Sequence, residues 1–390
     1  MLPEFENTRI AFEYKLTRDL RQAQFLFSSM SSPLLTKIGL GFTQWALKLG
    51  LPIRSIIKAT IFRQFCGGES MEEAAQTAEM LGRYGVGVIM DYGVEGKENE
   101  QEFDKAVPEF IKAIRYAASR KNIPFISVKI TGFARFALME KVHAKTELTE
   151  AEKAEWSRVY ARIQQICAAA SENRVMVLVD AEETWIQEAV NELTDNMMEQ
   201  FNRNEAIIFN TFQLYCQGTL PYLKEAIAVA ESKGYKLGAK LVRGAYMEKE
   251  RARAAAMGYE DPIQPNKQSK DRDFDEAVTY CLERIDSLSL FIGTHNEKSC
   301  LLAAKYMDDH GIPHNDRRVY FSQLFGMSDN ITFNLAHQGY NVAKYLPYGP
   351  VKDVIPYLMR RAQENTSVAG QTGRELSLIN REIRRRKGRS

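Results

Sequence analysis

Short apolar runs alternate with helical stretches through most of this chain. Eight such runs recur from residue 85 onward, each flanked by polar turns: 85–92 (GVGVIMDY), 125–131 (FISVKIT), 175–181 (VMVLVDA), 206–213 (AIIFNTFQ), 237–243 (LGAKLVR), 288–295 (LSLFIGTH), 318–324 (RVYFSQL) and 342–347 (VAKYLP). Apolar positions at helical spacing fill the intervals 102–120, 150–172, 184–203, 220–233, 270–285, 298–309, 328–338 and 353–364. Strands that are almost continuously apolar belong to a parallel sheet covered on both faces. Eight strand–helix repeats predict a closed (β/α)8 barrel of the TIM type. A doubly wound open sheet is the competing architecture. It would need a phosphate loop after its first strand, and GVGVIMDYGVEGK contains neither G-x-G-x-x-G nor a Walker A pattern.

Residues 1–80 are expected to be helical throughout, with helices over 10–27, 34–48 and 71–84. Gly67-Gly68 and an acidic, Ser70-containing start punctuate the last of these. The expected organisation is an N-terminal helical segment (1–80), a barrel (81–370) and a basic C-terminal tail (371–390).

Composition narrows the partners. Lys plus Arg number 52 and Asp plus Glu 50, for a net charge of +2, which gives no global signal for nucleic acid. Cys66, Cys167, Cys216, Cys281 and Cys300 are scattered, without a C-x-x-C pair, and point to a reducing compartment. The opening MLPEFENTRIAFEYK has no apolar core of a signal peptide and no transit-peptide character. A cytoplasmic location is therefore expected, or the mitochondrial matrix if the source is eukaryotic. The apolar stretch 34–62 is interrupted by Lys37, Lys48, Arg54 and Lys58 and does not suit a bilayer-spanning helix. Packing on the protein's own core is the first reading, and a peripheral contact at the inner membrane is the alternative. The run RELSLINREIRRRKGR (374–389) is expected to form a solvated helix with a frayed end; contact with anionic lipid or nucleic acid is the alternative.

Barrel enzymes carry their chemistry at the carboxyl ends of the strands. Here those ends hold Asp91 with Glu95 beyond it, Lys129, Asp180, Gln213, Lys240 with Arg243, Thr294-His295, Gln323 and Tyr345. A convergent ring of charged and polar groups suits an active site. H-E-x-x-H, clustered His/Cys/carboxylate sets and G-x-S-x-G are all lacking, so neither a metal site nor a serine hydrolase is expected. The sharpest local feature is YLMRRAQE. On a helix Tyr357, Arg360 and Glu364 share a face, and Arg361 lies about 100° round. Paired guanidiniums near a helix start can clamp a carboxylate. Taken alone, the pattern fits a solvated face with an i,i+4 ion pair better than a clamp.

The segments LVDAEETW, KLVRGAYMEKERA, GTHNEKS, FSQLFGM and YLPYGPVKDVIPYLMRRAQEN, in that order, closely resemble the proline dehydrogenase family, of the monofunctional type. The resemblance runs from about Phe5 to the end of the chain. It implies a distorted (β/α)8 barrel with its last helix over the mouth. It also implies non-covalent FAD, oxidation of L-proline to Δ1-pyrroline-5-carboxylate by hydride transfer from C5, and electron delivery to a quinone. A pyrroline-5-carboxylate dehydrogenase would be the partner downstream. By the same resemblance Arg360 and Arg361 hold the substrate carboxylate, with Lys129 beside it. Asp180 lies next to flavin and substrate. Lys240, Val242, Arg243 and Gly244 run along the flavin, Lys240 standing where many relatives carry arginine. Ala181, Gln213, Thr294, His295 and Gln323 are further flavin contacts. Leu241, Tyr246, Tyr345 and Tyr357 wall the proline pocket, and Glu95 and Glu364 belong to its gate. Relatives that prefer hydroxyproline carry a smaller residue at the position of Tyr345, so proline is the expected substrate. Asp180 and Lys129 either tune the proton affinity of the amine or pair with each other and hold geometry.

Overall fold

A computed structural model describes residues 2–31, 54–93, 98–367 and 371–388. Eight parallel strands close into one barrel in sequence order. They are β1 (Val86–Tyr92), β2 (Phe125–Val128), β3 (Met176–Val179), β4 (Ile208–Gln213), β5 (Leu237–Val242), β6 (Leu288–Gly293), β7 (Val319–Leu324) and β8 (Val342–Tyr348). Closure is made by β8 on β1, in register from Val86 opposite Val342 to Tyr92 opposite Tyr348. The expected strands all form, and the open-sheet alternative is excluded by this closure.

Alternation along each strand builds two cores. Ile89, Phe125, Leu178, Phe209, Phe291 and Tyr345 fill the barrel. The Phe125 ring stands edge-on to Phe209, Phe291 and Tyr320, with centroids 5.9, 5.0 and 4.8 Å away. The opposite faces pack Val177, Leu241, Leu290 and Ile292 under the surrounding helices. Two helices lie outside the expected set, Phe136–His143 and Met247–Met257.

A third apolar layer caps one side. Leu20, Phe27, Phe62, Phe65, Val354, Leu358, Leu378 and Ile383 come from the two ends of the chain and pack together. Of the expected N-terminal helices, Thr17–Met30 and Met71–Gly82 form, while 34–48 falls outside the described residues. A helical stretch at Arg54–Phe65, with a π-helical turn at Lys58–Phe62, adds to them.

The basic run near the C-terminus is not a solvated tail. Residues Gln371–Arg386 are a helix whose Leu378, Ile379 and Ile383 are buried, so its apolar stripe rather than its charge decides where it lies. Its cations bond to the first residues of the chain. Thr8 Oγ1 donates to Glu382 at 3.0 Å, Arg386 donates to the carbonyls of Phe12 (2.7 Å) and Lys15 (2.8 Å), and Arg374 and Arg381 both pair with Glu6.

No helix among the described residues is long and apolar enough to cross a membrane. All five cysteines are reduced and buried.

Candidate active site

Strand geometry sets the site. Asp180 follows β3 directly, its backbone N–H bonded to the carbonyl of Val128 at 2.9 Å. Its carboxylate receives three donors at 2.6 Å: Lys129 and Tyr345 on Oδ2 and Lys240 on Oδ1. The Tyr345 hydroxyl also meets Ser127 Oγ at 3.0 Å. The ends of β2, β3, β5 and β8 are thereby tied at one point. Burial opposes ionisation of Asp180, but the ammoniums of Lys129 and Lys240 outweigh it and hold the carboxyl well below its ordinary range. Burial likewise works against the charge on Lys129, and Asp180, then Tyr345 and Asp91, reverse that and raise it well above normal. Asp91 at the end of β1 is buried and stands in the same field.

A second carboxyl, Glu182, links further strand ends. It accepts the N–H (3.0 Å) and hydroxyl (2.5 Å) of Thr131, and its own carbonyl accepts Gln213 Nε2 at 2.8 Å. Burial pushes its pKa up to about 7. Ser127, Thr131 and Glu182 were not singled out from sequence. Glu182 lies within the LVDAEETW segment, but nothing in the linear pattern signals that it bonds residue 131.

The helix after β8, Val351–Ser367, starts at the turn Tyr348-Gly349-Pro350 and crosses the mouth. Arg360 reaches within 6.0 Å of the Tyr246 ring beyond β5, and Arg361, buried, stacks 5.0 Å from the Tyr357 ring. Arg361 also acts on His295 beyond β6, whose pKa is pushed down to about 3 by burial, then by Lys344, Arg361 and Arg243. Both guanidiniums therefore stand over the strand ends. Glu364 is on this helix, but the structure describes nothing of its side chain, and Glu95 lies outside the described residues.

The remaining expected contacts divide. Arg243 donates to Asp271 (2.9 Å), Thr294 Oγ1 (2.7 Å) and Ser299 Oγ (3.0 Å), and its guanidinium lies 4.2 Å from the Phe274 ring. Gln323 donates to the Thr294 carbonyl at 3.0 Å, which joins the ends of β6 and β7. His295 Nδ1 meets Ser328 Oγ at 2.9 Å. Ala181, Gln213 and Thr294 are buried at the strand ends, and Val242 is half-buried. Leu241 follows Lys240 on β5. Lys240 points into the barrel, so its neighbour points out, into the core between sheet and helices.

Among the described residues no cluster of three or more His, Cys, Asp or Glu could hold a metal. Cations and polar donors converge on the mouth together with Gly244, whose φ of +134° suits only glycine and where a Cβ would stand 2.3 Å from the Tyr215 ring. Exposed, side-chain-free backbone beside Lys240 and Arg243 fits a large anionic cofactor.

Fold and site define a (β/α)8-barrel enzyme whose reaction centre lies at the carboxyl ends of its strands. Its relatives specify which. The family model for proline dehydrogenase matches residues 74–374. The carbapenem antibiotics biosynthesis protein CarD of Pectobacterium carotovorum subsp. carotovorum is 36% identical over 323 residues, 83% of this chain and 83% of that protein. The mitochondrial proline dehydrogenase 1 of Dictyostelium discoideum is 32% identical over 385 residues, 87% of this chain and 67% of that protein. Proline utilization A (PutA) of Bdellovibrio bacteriovorus, in a structure inactivated by N-propargylglycine, shares the fold at a TM-score of 0.74 and 19% identity; the match covers 96% of this chain and 40% of that one. The chain belongs to the proline dehydrogenase family, a membership that implies a flavin.

Proposed function

We propose that the protein oxidises L-proline to Δ1-pyrroline-5-carboxylate, with non-covalent FAD held across the barrel mouth. The observation that carries this reading is the placement of Arg360 and Arg361 over the strand ends that hold the Lys129–Asp180–Lys240 cluster. When bound, FAD would supply a two-electron acceptor for the hydride from C5, leaving the protonated imine of Δ1-pyrroline-5-carboxylate, whose N–H proton is lost to solvent. The chain's own residues do the rest. Arg360 and Arg361 bind the carboxylate and fix the ring, so that C5 is presented in one orientation. Lys240 and Arg243 offset negative charge along the cofactor, with Gly244, Val242, Ala181, Gln213, Thr294, His295 and Gln323 as further contacts. Tyr246, Tyr345 and Tyr357 bound the substrate, and Glu95 and Glu364 gate it.

The charge state of Asp180 favours one of its two readings. A carboxylate held ionised by two ammoniums is a poor acceptor for the amine proton. Asp180 therefore sets geometry, fixing Lys129, Lys240 and Tyr345. The Tyr345 hydroxyl is spent on Asp180 and Ser127, which leaves it unable to turn toward a 4-hydroxyl on the substrate. Proline is preferred over hydroxyproline on that ground.

Electrons then pass to a quinone and the product to a pyrroline-5-carboxylate dehydrogenase. The enzyme acts in the cytoplasm, or in the matrix of a mitochondrion, with a peripheral contact at the inner membrane. Phe25, Ile56 and Leu16, exposed at 71, 64 and 58% on the N-terminal segment, support such a contact. Anaerobic titration of purified protein with proline tests the assignment: the visible flavin band should bleach, and 4-hydroxyproline should bleach it far less at equal concentration. A colourless protein that cannot be reconstituted with FAD and ignores proline would overturn it.

A further inference from the structure

The loop that leaves β7, residues 325–328, is gripped from several parts of the chain. Lys344, fully buried on β8, donates to the carbonyls of Leu324 (3.3 Å) and Met327. Gln64 of the N-terminal segment donates to the Gly326 carbonyl at 2.6 Å. A Cβ on Gly326, at φ +79°, would stand 2.0 Å from the Gln64 carbonyl oxygen, so only glycine allows this approach. Asp329, the residue after the loop, receives Lys15 (2.9 Å), Lys344 (2.9 Å) and the Tyr14 hydroxyl (2.8 Å).

The most distant grip comes from the last helix. Glu375, buried, accepts the backbone N–H of Ser328 at 2.5 Å. Ser328 has φ +50°, a left-handed conformation that a non-glycine residue holds only when its surroundings impose it. In that conformation its hydroxyl meets His295 Nδ1 at 2.9 Å. A hydroxyl can donate to Nδ1 or accept from it, so in either tautomer this bond holds the orientation of the ring and the direction of Nε2.

We infer that Glu375 and Ser328 are positioning residues for His295: the last helix fixes the Ser328 backbone, and the Ser328 hydroxyl fixes the imidazole that faces the flavin. The inference rests on the reading of His295 as a flavin contact. It makes residues 371–386 a working part of the cofactor site rather than an appendage to it. The carboxyl needs only to accept, so its charge is dispensable.

The test measures FAD affinity by quenching of flavin fluorescence, together with the visible spectrum of bound flavin, on the full chain. Glu375→Ala and Ser328→Gly should each weaken FAD about tenfold, the loss of one buried hydrogen bond, and shift the flavin band. Glycine tolerates the φ of residue 328, so the second variant deletes the hydroxyl without straining the loop and serves if the first fails to fold. The double variant should be no weaker than the weaker single, because both act through one imidazole. Glu375→Gln, which keeps the acceptor, should restore affinity and spectrum. A Glu375→Gln variant as impaired as Glu375→Ala overturns the inference. So does wild-type FAD binding by Ser328→Gly while His295→Ala binds FAD weakly, an outcome that leaves the role of His295 intact. If His295→Ala itself binds FAD normally, the flavin role of His295 falls and takes the inference with it.

Discussion

Replacing Asp180 by alanine removes the one carboxylate that three donors share at 2.6 Å. Lys129 and Lys240 would be left facing each other with side chains only 14 and 8% exposed, which solvent cannot compensate. Breaking one member out of a buried ion pair costs about 3–5 kcal/mol. Unfolding entropy of about 2.1 cal/mol/K per residue gives roughly 0.8 kcal/mol/K for a chain of this length, so Tm should fall by about 4–6 °C. Thermal unfolding of the apoprotein, read by circular dichroism, measures this without relying on turnover. Lys240→Met in the same background should recover part of the loss, because it removes one of the two stranded charges. If Asp180→Ala melts with wild-type Tm, or the second substitution only adds damage, the cluster is not the electrostatic unit described.

Arg361→Met should raise KM for proline about a hundredfold in steady-state assays, the cost of a desolvated carboxylate losing its partner; an unchanged KM removes the clamp. Gly244→Ala forces a Cβ against the Tyr215 ring at a φ that disfavours any side chain, and should cost about 1–3 kcal/mol of stability along with FAD retention through gel filtration. Glu182 carries a folded-state pKa of about 7 against an ordinary 4.5, so the folded protein holds this proton more tightly than the unfolded chain. Its contribution is complete below 4.5 and is lost as pH rises through 7. Glu182→Gln should flatten the fall in Tm across that window, and an identical pH profile would contradict the assignment.

The barrel was legible because strands buried on both faces cannot hide their composition. Each apolar run appears within a few residues of its expected place, and the polar residues that end the strands are those at the mouth. The missed helices lack the periodic signal. In Met247–Met257 only Glu250 and Ala254 are buried, so its helicity follows from Ala, Glu, Lys and Arg propensity rather than from an apolar stripe. Phe136–His143 is too short for its period to stand out. Of the site, the identity of Asp180, Lys129 and Lys240 could be inferred, but not that they share one carboxylate. That sharing depends on strand register and on Tyr345 reaching across from β8. Leu241, expected by family likeness at the pocket wall, lies by the strand's two-residue repeat on the face opposite Lys240, among core residues. Glu375 gave no linear signal at all, since its partner lies 47 positions upstream.

The mutual hold between residues 6–15 and 374–386 carries a consequence for how the molecule comes apart. Neither segment can fray without stranding charges on the other, so amide protons of the first turn and the last helix should exchange in one cooperative opening. That event would also release Ser328, so the earliest detachment at the rim of the fold would be felt at His295, beyond the end of β6.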